Sequence, residues 1–122
     1  MTSNGHDIGA LKDFDCGRPY RVEVGGRALV VVRRDDDRLY ALRDTCPHQG
    51  ARLSDGRVGG TSLACKPGEV IEYGRIGEIL TCPWHGWEYD LCTGQSLINP
   101  QRVRVAAYPV RVESGRVLVD LV

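Results

Sequence analysis

The hydrophobic positions of the chain form short runs separated by turn residues, a pattern typical of β-proteins. Residues 28–32 are continuously apolar and largely β-branched, which predicts a strand buried on both faces. Residues 21–24 form a shorter run that ends at Gly25 and Gly26, a two-residue hairpin signal. Residues 34–38 predict a charged turn, and residues 39–42 predict the strand that follows it.

The second half of the chain has a weaker pattern. Residues 57–77 are rich in glycine and predict a long loop or a loose hairpin, whereas residues 79–82 and 88–91 predict short strands around a loop. Valine alternates with arginine at residues 103–105 and 110–112, so we predict strands there with one buried and one solvated face. A turn over residues 113–116 precedes a last strand over residues 117–122.

Helical periodicity is almost absent, since the best candidate is a single turn within residues 9–14. The length of 122 residues suits one domain. We therefore predict an all-β fold of antiparallel sheets in a single domain. Its chemistry-bearing part is expected over residues 44–96, with base strands over residues 8–43 and 97–122.

Charge and composition limit the partners. Sixteen Lys and Arg balance sixteen Asp and Glu, so there is no basic excess for nucleic acid or an anionic membrane. No apolar run approaches the roughly 20 residues of a membrane span, and residues 1–10 lack the apolar core of a signal peptide. We expect a cytoplasmic monomer that binds neither nucleic acid nor membranes.

The chain has five cysteines, an odd number that does not suit a secreted disulfide framework. In a reducing compartment, cysteines spaced near histidines point to metal binding or redox chemistry. Two segments fit this description: residues 46–50 have the sequence CPHQG and residues 82–87 the sequence CPWHGW. Each contributes one thiolate and one imidazole, followed by a glycine.

The candidate ligands are Cys46, His48, Cys82 and His85. Soft thiolates suit iron–sulfur clusters, whereas imidazole is a borderline ligand. Two loops that each present one cysteine and one histidine can hold a two-iron cluster from opposite sides. The proline after each cysteine stiffens its loop, and the glycine allows a close backbone approach.

This pattern resembles the Rieske family, closely over residues 25–96 and more loosely in the terminal strands. The resemblance implies a base β-sandwich with a small cluster-binding subdomain, and one 2Fe–2S cluster. Cys46 and Cys82 would bind the inner iron, and His48 and His85 the outer iron. Residues around the ligands would support the cluster: Gln49, Gly50, Gly86, Trp87 and Tyr89. Residues that would form a partner-docking surface are Pro47, Pro83 and Trp84.

The chain departs from the respiratory branch of that family. The positions of its loop disulfide are Ala51 and Trp84 here, and Trp87 replaces its serine. Tyr89 matches its tyrosine that bonds to a ligand sulfur. With one of two such hydrogen bonds retained, we expect a reduction potential of roughly −150 to 0 mV, in the lower third of the Rieske range. The resemblance is therefore to the soluble, oxygenase-associated branch.

The residues alone leave two other kinds of metal site as alternatives. A structural Cys2His2 zinc site usually separates its cysteine pair from its histidine pair and uses a helix, neither of which is predicted here. A four-cysteine cluster on Cys46, Cys65, Cys82 and Cys92 would have spacings unlike either ferredoxin pattern. Cys16, Cys65 and Cys92 are interpreted as bystanders, because free cysteine commonly packs as a small apolar residue. Cys65 lies in the long segment between the two motifs, where exposure and a redox role stay an alternative. His6 is interpreted as a solvated residue of a frayed terminus.

Three functions compete. The first is a one-electron carrier between a flavoprotein reductase and a terminal oxygenase, without catalysis of its own, because His6 is the one histidine left for a second iron site. The second is a small subunit of a larger reductase such as nitrite reductase. The third is a binding module that uses the cluster as a structural staple.

Overall fold

The computed structural model describes residues 5–47, 50–62, 73–84 and 86–121, which form three antiparallel sheets. Two short 3-10 helices cover Leu11–Asp13 and Leu53–Asp55, and the first is the single turn predicted within residues 9–14. The strands are β1 Gly5–Ala10, β2 Tyr20–Val24, β3 Arg27–Arg33, β4 Leu39–Arg43, β5 Arg57–Ser62, β6 Tyr73–Thr81, β7 Glu88–Asp90, β8 Ala107–Tyr108, β9 Val110–Glu113 and β10 Arg116–Asp120. The predicted all-β class is confirmed.

The central sheet has the strand order β2-β3-β4-β8, and its first three strands lie where the sequence predicts them. Gly25 and Gly26 join β2 to β3 with φ angles of 55° and 79°, the left-handed pair that a two-residue hairpin turn requires. The predicted charged turn joins β3 to β4, where the Arg34 N–H donates to the Arg38 carbonyl at 2.7 Å.

Strand β3 is buried on both faces because two separate cores lie on either side of the central sheet. Leu29 and Val31 face one core, and Val30 and Val32 face the other. The first core packs against the terminal sheet and includes Phe14, Val24, Ala41, Val117 and Val119. The second core packs against the third sheet and includes Leu42, Cys46, Leu53, Leu80, Cys82, Tyr89 and Leu91.

The terminal sheet has the order β1-β10-β9, and it corrects the expectation of a frayed N-terminus. His6 pairs with Val119 of β10, so the base strands begin at Gly5 and not at residue 8. The side chains of His6 and Asp7 are exposed, which is why hydropathy did not reveal the strand. Backbone pairing and the bond from Arg116 to Asp7 at 2.9 Å hold it in place.

The third sheet has the order β5-β6-β7, so the hairpin alternative for residues 57–77 is correct at both ends of that segment. The register shifts between Gly59 and Thr61. Gly60 is required there, because a Cβ would lie 2.1 Å from the carbonyl oxygen of Gly74. Residues 63–72, which include Cys65, lie outside the described residues.

The strands predicted from the valine–arginine alternations near the C-terminus are only partly confirmed. Residues 103–105 form no strand; Arg104 makes one isolated bridge with Gln95. Val105 is buried, but its N–H donates to the carbonyl of Gly94 in a loop at 2.7 Å. In β9, an edge strand, Val112 is 40% exposed. No helix among the described ranges is long and apolar enough to cross a membrane.

Candidate metal centre

Two loops of the second core carry the cysteines of the predicted site. The first loop joins β4 to the 3-10 helix at Leu53–Asp55, and the second joins β6 to β7. Cys46 is 1% exposed and Cys82 is 2% exposed, and both belong to the same buried cluster. The prolines that follow them are exposed. Each loop therefore turns its cysteine inward and its proline outward.

The two loops close in the same way although their ligand spacings differ. The Cys46 N–H donates to the carbonyl of Ala51 at 2.8 Å, and the Cys82 N–H donates to the carbonyl of Trp87 at 2.7 Å. In both cases the acceptor lies five residues after the cysteine. Gly50 and Gly86 have φ angles of 74° and 69°, a left-handed backbone that favours glycine.

A tyrosine connects the third sheet to the first loop. Tyr89 is fully buried in β7, and its hydroxyl oxygen lies 3.1 Å from Sγ of Cys46. Burial raises the pKa of Tyr89 far above its ordinary value, and the contact with Cys46 raises it further. The hydroxyl therefore keeps its proton. The contact expected between Tyr89 and a cysteine sulfur is present.

The two thiols lie close to each other in an apolar environment. Burial raises the pKa of the Cys82 thiol, a bond from the Trp84 backbone N–H lowers it, and the neighbouring Cys46 thiol raises it again. Both cysteines are free of disulfides. The protonated form of Cys82 is therefore favoured without a cation, whereas a bound metal would hold both sulfurs as thiolates.

Comparison with known proteins identifies this arrangement. The model of the Rieske [2Fe-2S] domain matches residues 5–70 and 67–109. The chain belongs to the Rieske [2Fe-2S] family. Family membership assigns one 2Fe–2S cluster to the protein, and the described thiols fit that cofactor, because two buried, adjacent sulfurs are the donors that its cysteine-bound iron needs.

One relative and two structural neighbours are similar to the chain along most of its length. The ferredoxin component of the naphthalene 1,2-dioxygenase system of Pseudomonas aeruginosa is 31% identical over 99% of both chains. The ferredoxin in a complex of reduced oxygenase and oxidized ferredoxin of carbazole 1,9a-dioxygenase is 30% identical, with a TM-score of 0.71 over 98% of this chain and 94% of that one. A Mycobacterium tuberculosis protein assigned as the small subunit of an NADH-dependent nitrite reductase is 27% identical, with a TM-score of 0.77 over 97% and 95%.

The structure places only part of the predicted Rieske ligand set. His48, Gln49 and His85 lie outside the described residues. Within the described ranges no three metal-ligating side chains come together. The two cysteine sulfurs are therefore the part of the site that the geometry supports.

The other described cysteines lie apart from the Rieske loops. Cys16 and Cys92 are exposed free thiols, so the expectation that they pack as small apolar residues was wrong. Cys92 lies in the turn after β7, and Cys16 forms an isolated bridge with Arg33 between the first 3-10 helix and β2. Cys92 is not a member of the buried cluster that contains Cys46 and Cys82, which disfavours the four-cysteine alternative.

The sequence analysis missed a buried carboxylate beside the first Rieske loop. The side chain of Asp44 is fully buried and forms an ion pair with Arg21 at 2.8 Å. It also accepts hydrogen bonds from the N–H and the hydroxyl of Ser54 at 2.7 and 2.5 Å. The sequence offered one signal for Asp44, which is an acidic residue between a buried strand and the CPHQG segment. Nothing in the sequence links it to Arg21.

Proposed function

We propose that the protein is a one-electron carrier that receives electrons from a flavoprotein reductase and delivers them to a terminal oxygenase. The match with the Pseudomonas aeruginosa ferredoxin component covers 99% of both chains. The chain is therefore similar to that ferredoxin component along almost its whole length. The carbazole dioxygenase ferredoxin, which forms a complex with its oxygenase, supports the same type of partner.

The observation that carries this proposal is the burial of two cysteine side chains in one core, on loops with matching closure. We assign Cys46 and Cys82 as ligands of the inner iron, and His48 and His85 as ligands of the outer iron. When bound, the cluster takes up and releases one electron without forming or breaking a bond to a substrate. The apolar core around the two cysteines excludes water from that side, and the hydrogen bonds that close the loops hold both sulfurs in place.

The exposed flank of the loops is the proposed docking surface. Pro47, Pro83 and Trp84 are exposed, and Trp84 is 51% exposed despite its large apolar ring. Aromatic residues are enriched where proteins bind each other. A partner that covers Trp84 would approach the cluster from the side opposite the buried core.

The proposed domain organisation assigns residues 44–96 to the cluster-binding part. The base comprises the strands on either side of that range and includes β1 from Gly5 onward. We place the protein in the cytoplasm, since exposed free thiols such as Cys16 and Cys92 are compatible with a reducing compartment.

The test is an electron-transfer reconstitution. The purified protein is mixed anaerobically with NADH and the reductase of a naphthalene dioxygenase system, and reduction is followed by the visible absorbance of the cluster. The reduced protein is then mixed with the matching oxygenase. We expect reduction by the reductase and reoxidation by the oxygenase.

A matched variant tests the docking surface in the same assay. Trp84→Ala is expected to weaken both partner steps, because the exposed ring lies on the proposed docking surface. The midpoint potential should stay that of the wild type, because the bond from the backbone N–H of residue 84 to Cys82 is kept. The carrier function would be contradicted by a wild-type protein that contains the cluster but is neither reduced by the reductase nor reoxidised by the oxygenase.

The second candidate is a small subunit of a nitrite reductase, favoured by the TM-score of 0.77 to the Mycobacterium tuberculosis protein. Purification from the native host separates the two functions. A stable complex with a large reductase subunit would support the second candidate, whereas a carrier would purify without one.

A further inference from the structure

We propose that Asp44 is a positioning residue for the redox centre: its buried carboxylate holds the first cluster loop so that Cys46 meets the hydroxyl of Tyr89. This inference rests on the proposed role of Cys46 as a cluster ligand. It assigns a redox role to a carboxylate that is itself no ligand.

The first loop is closed by two nested sets of hydrogen bonds. The inner set lies within the loop, where the Cys46 N–H donates to Ala51 and the Gly50 N–H donates to Cys46, both at 2.8 Å. The outer set joins Asp44 to Ser54 through the Ser54 N–H at 2.7 Å and the Ser54 hydroxyl at 2.5 Å. The carboxylate of Asp44, at the start of the loop, thus holds Ser54, which lies just after the end of the loop.

The carboxylate is in turn attached to the central sheet. Oδ2 of Asp44 accepts from Nη1 of Arg21 in β2 at 2.8 Å, and the Asp44 N–H donates to the carbonyl of Ala28 at 2.9 Å. Because the Asp44 side chain is fully buried, loss of a partner leaves its carboxylate with fewer hydrogen bonds, which is costly in the interior. A buried network in which each member is satisfied fixes a single geometry.

The fixed geometry bears on the cluster through Cys46, two residues after Asp44. Sγ of Cys46 lies 3.1 Å from the hydroxyl of Tyr89, which belongs to the third sheet. The contact therefore joins the first loop to the third sheet, and its length depends on where the loop is held. A sulfur bound to iron has no proton, so the hydroxyl donates. Such a bond weakens steeply as its geometry deteriorates, and a weaker bond stabilises the reduced centre less.

Ser54→Ala is the decisive variant because it removes one bond of the outer set without changing any charge. We expect the cluster to be retained, with a midpoint potential below that of the wild type, a changed EPR signal of the reduced protein, and faster loss of the cluster. Ser54→Thr, which keeps the hydroxyl, is expected to restore the wild-type potential.

A double-mutant cycle on the potential tests the route through Tyr89. If Asp44 and Ser54 act by positioning Cys46, Ser54→Ala shifts the potential less in a Tyr89→Phe background than in the wild type. Asp120→Asn is the matched control, since Asp120 pairs with Arg111 at 2.9 Å in the terminal sheet, and it is expected to leave the potential unchanged.

Two outcomes would overturn the positioning role. One is a Ser54→Ala protein with a lower melting temperature but the potential and EPR signal of the wild type. The other is a shift that is equal with and without the Tyr89 hydroxyl. Failure of the proposed function itself would be seen in another variant. A Cys46→Ser protein that keeps an unaltered cluster would show that Cys46 is no ligand.

Discussion

Tyr89→Phe removes a hydroxyl that lies 3.1 Å from the sulfur of Cys46 and keeps the buried ring. A hydrogen bond to a charged group contributes about 1.5–3 kcal/mol. Only the part that strengthens on reduction affects the potential, and we take it as about 1 kcal/mol. Because a tenfold change in an equilibrium constant is about 59 mV for one electron, the potential should fall by roughly 40 mV.

Direct electrochemistry at neutral pH measures this shift, with iron and sulfide content determined on the same samples. Tyr20→Phe is the matched control, since its hydroxyl accepts from the Asp15 N–H at 2.8 Å and its ring packs against the other core. The control should keep the wild-type potential. A Tyr89→Phe protein with full cluster content and an unchanged or raised potential would refute the proposed effect of the hydroxyl.

Three further predictions follow from other parts of the structure. Gly94→Ala should destabilise the fold by about 2–4 kcal/mol in urea unfolding, because it combines a φ of 77° with a Cβ placed 2.1 Å from a carbonyl oxygen. Gly115→Ala is the control: its φ is 76° but its Cβ would meet open space, so it should cost only about 1 kcal/mol. The bond from Arg116 lowers the pKa of Asp7. Asp7 therefore stabilises the fold above its unfolded pKa of about 3.9, and this stabilisation is lost as the pH falls through the lowered pKa. Asp7→Asn should lower the melting temperature more at pH 7 than near pH 2, and an equal effect at both would contradict this. Cys92→Ala should retain the iron and sulfide of the wild type, and loss of either would reopen the four-cysteine alternative.

The central strands show what a local pattern can predict. The run at residues 28–32 indicated burial on both faces, and β3 is buried between two cores. The Gly25-Gly26 signal was equally local, because the turn conformation depends on those two residues. Both features were predictable since hydrophobicity and backbone freedom act within a few residues.

Contacts between residues that are distant in sequence explain where the sequence-based predictions were wrong. His6 is in a strand because β10 offers a free edge, which its own polar neighbours do not indicate. Residues 103–105 have the alternation of a strand, but the Val105 N–H bonds to Gly94. Asp44 belongs to the site through Arg21, which is distant in sequence. The cysteines and the Tyr89 contact were predictable from the motifs, whereas the bonds of Asp44 to Arg21 and Ser54 were not.

The assignment of the four ligands is tested most directly by iron and acid-labile sulfide quantification in purified wild-type protein and single variants. We predict two irons and two sulfides per chain, as a 2Fe–2S cluster requires, in the wild type and in Cys65→Ala. We predict neither in Cys46→Ser or Cys82→Ser, because cluster binding is coupled to the folding of the loops. One zinc per chain without sulfide, or loss of the cluster in Cys65→Ala, would contradict the assignment.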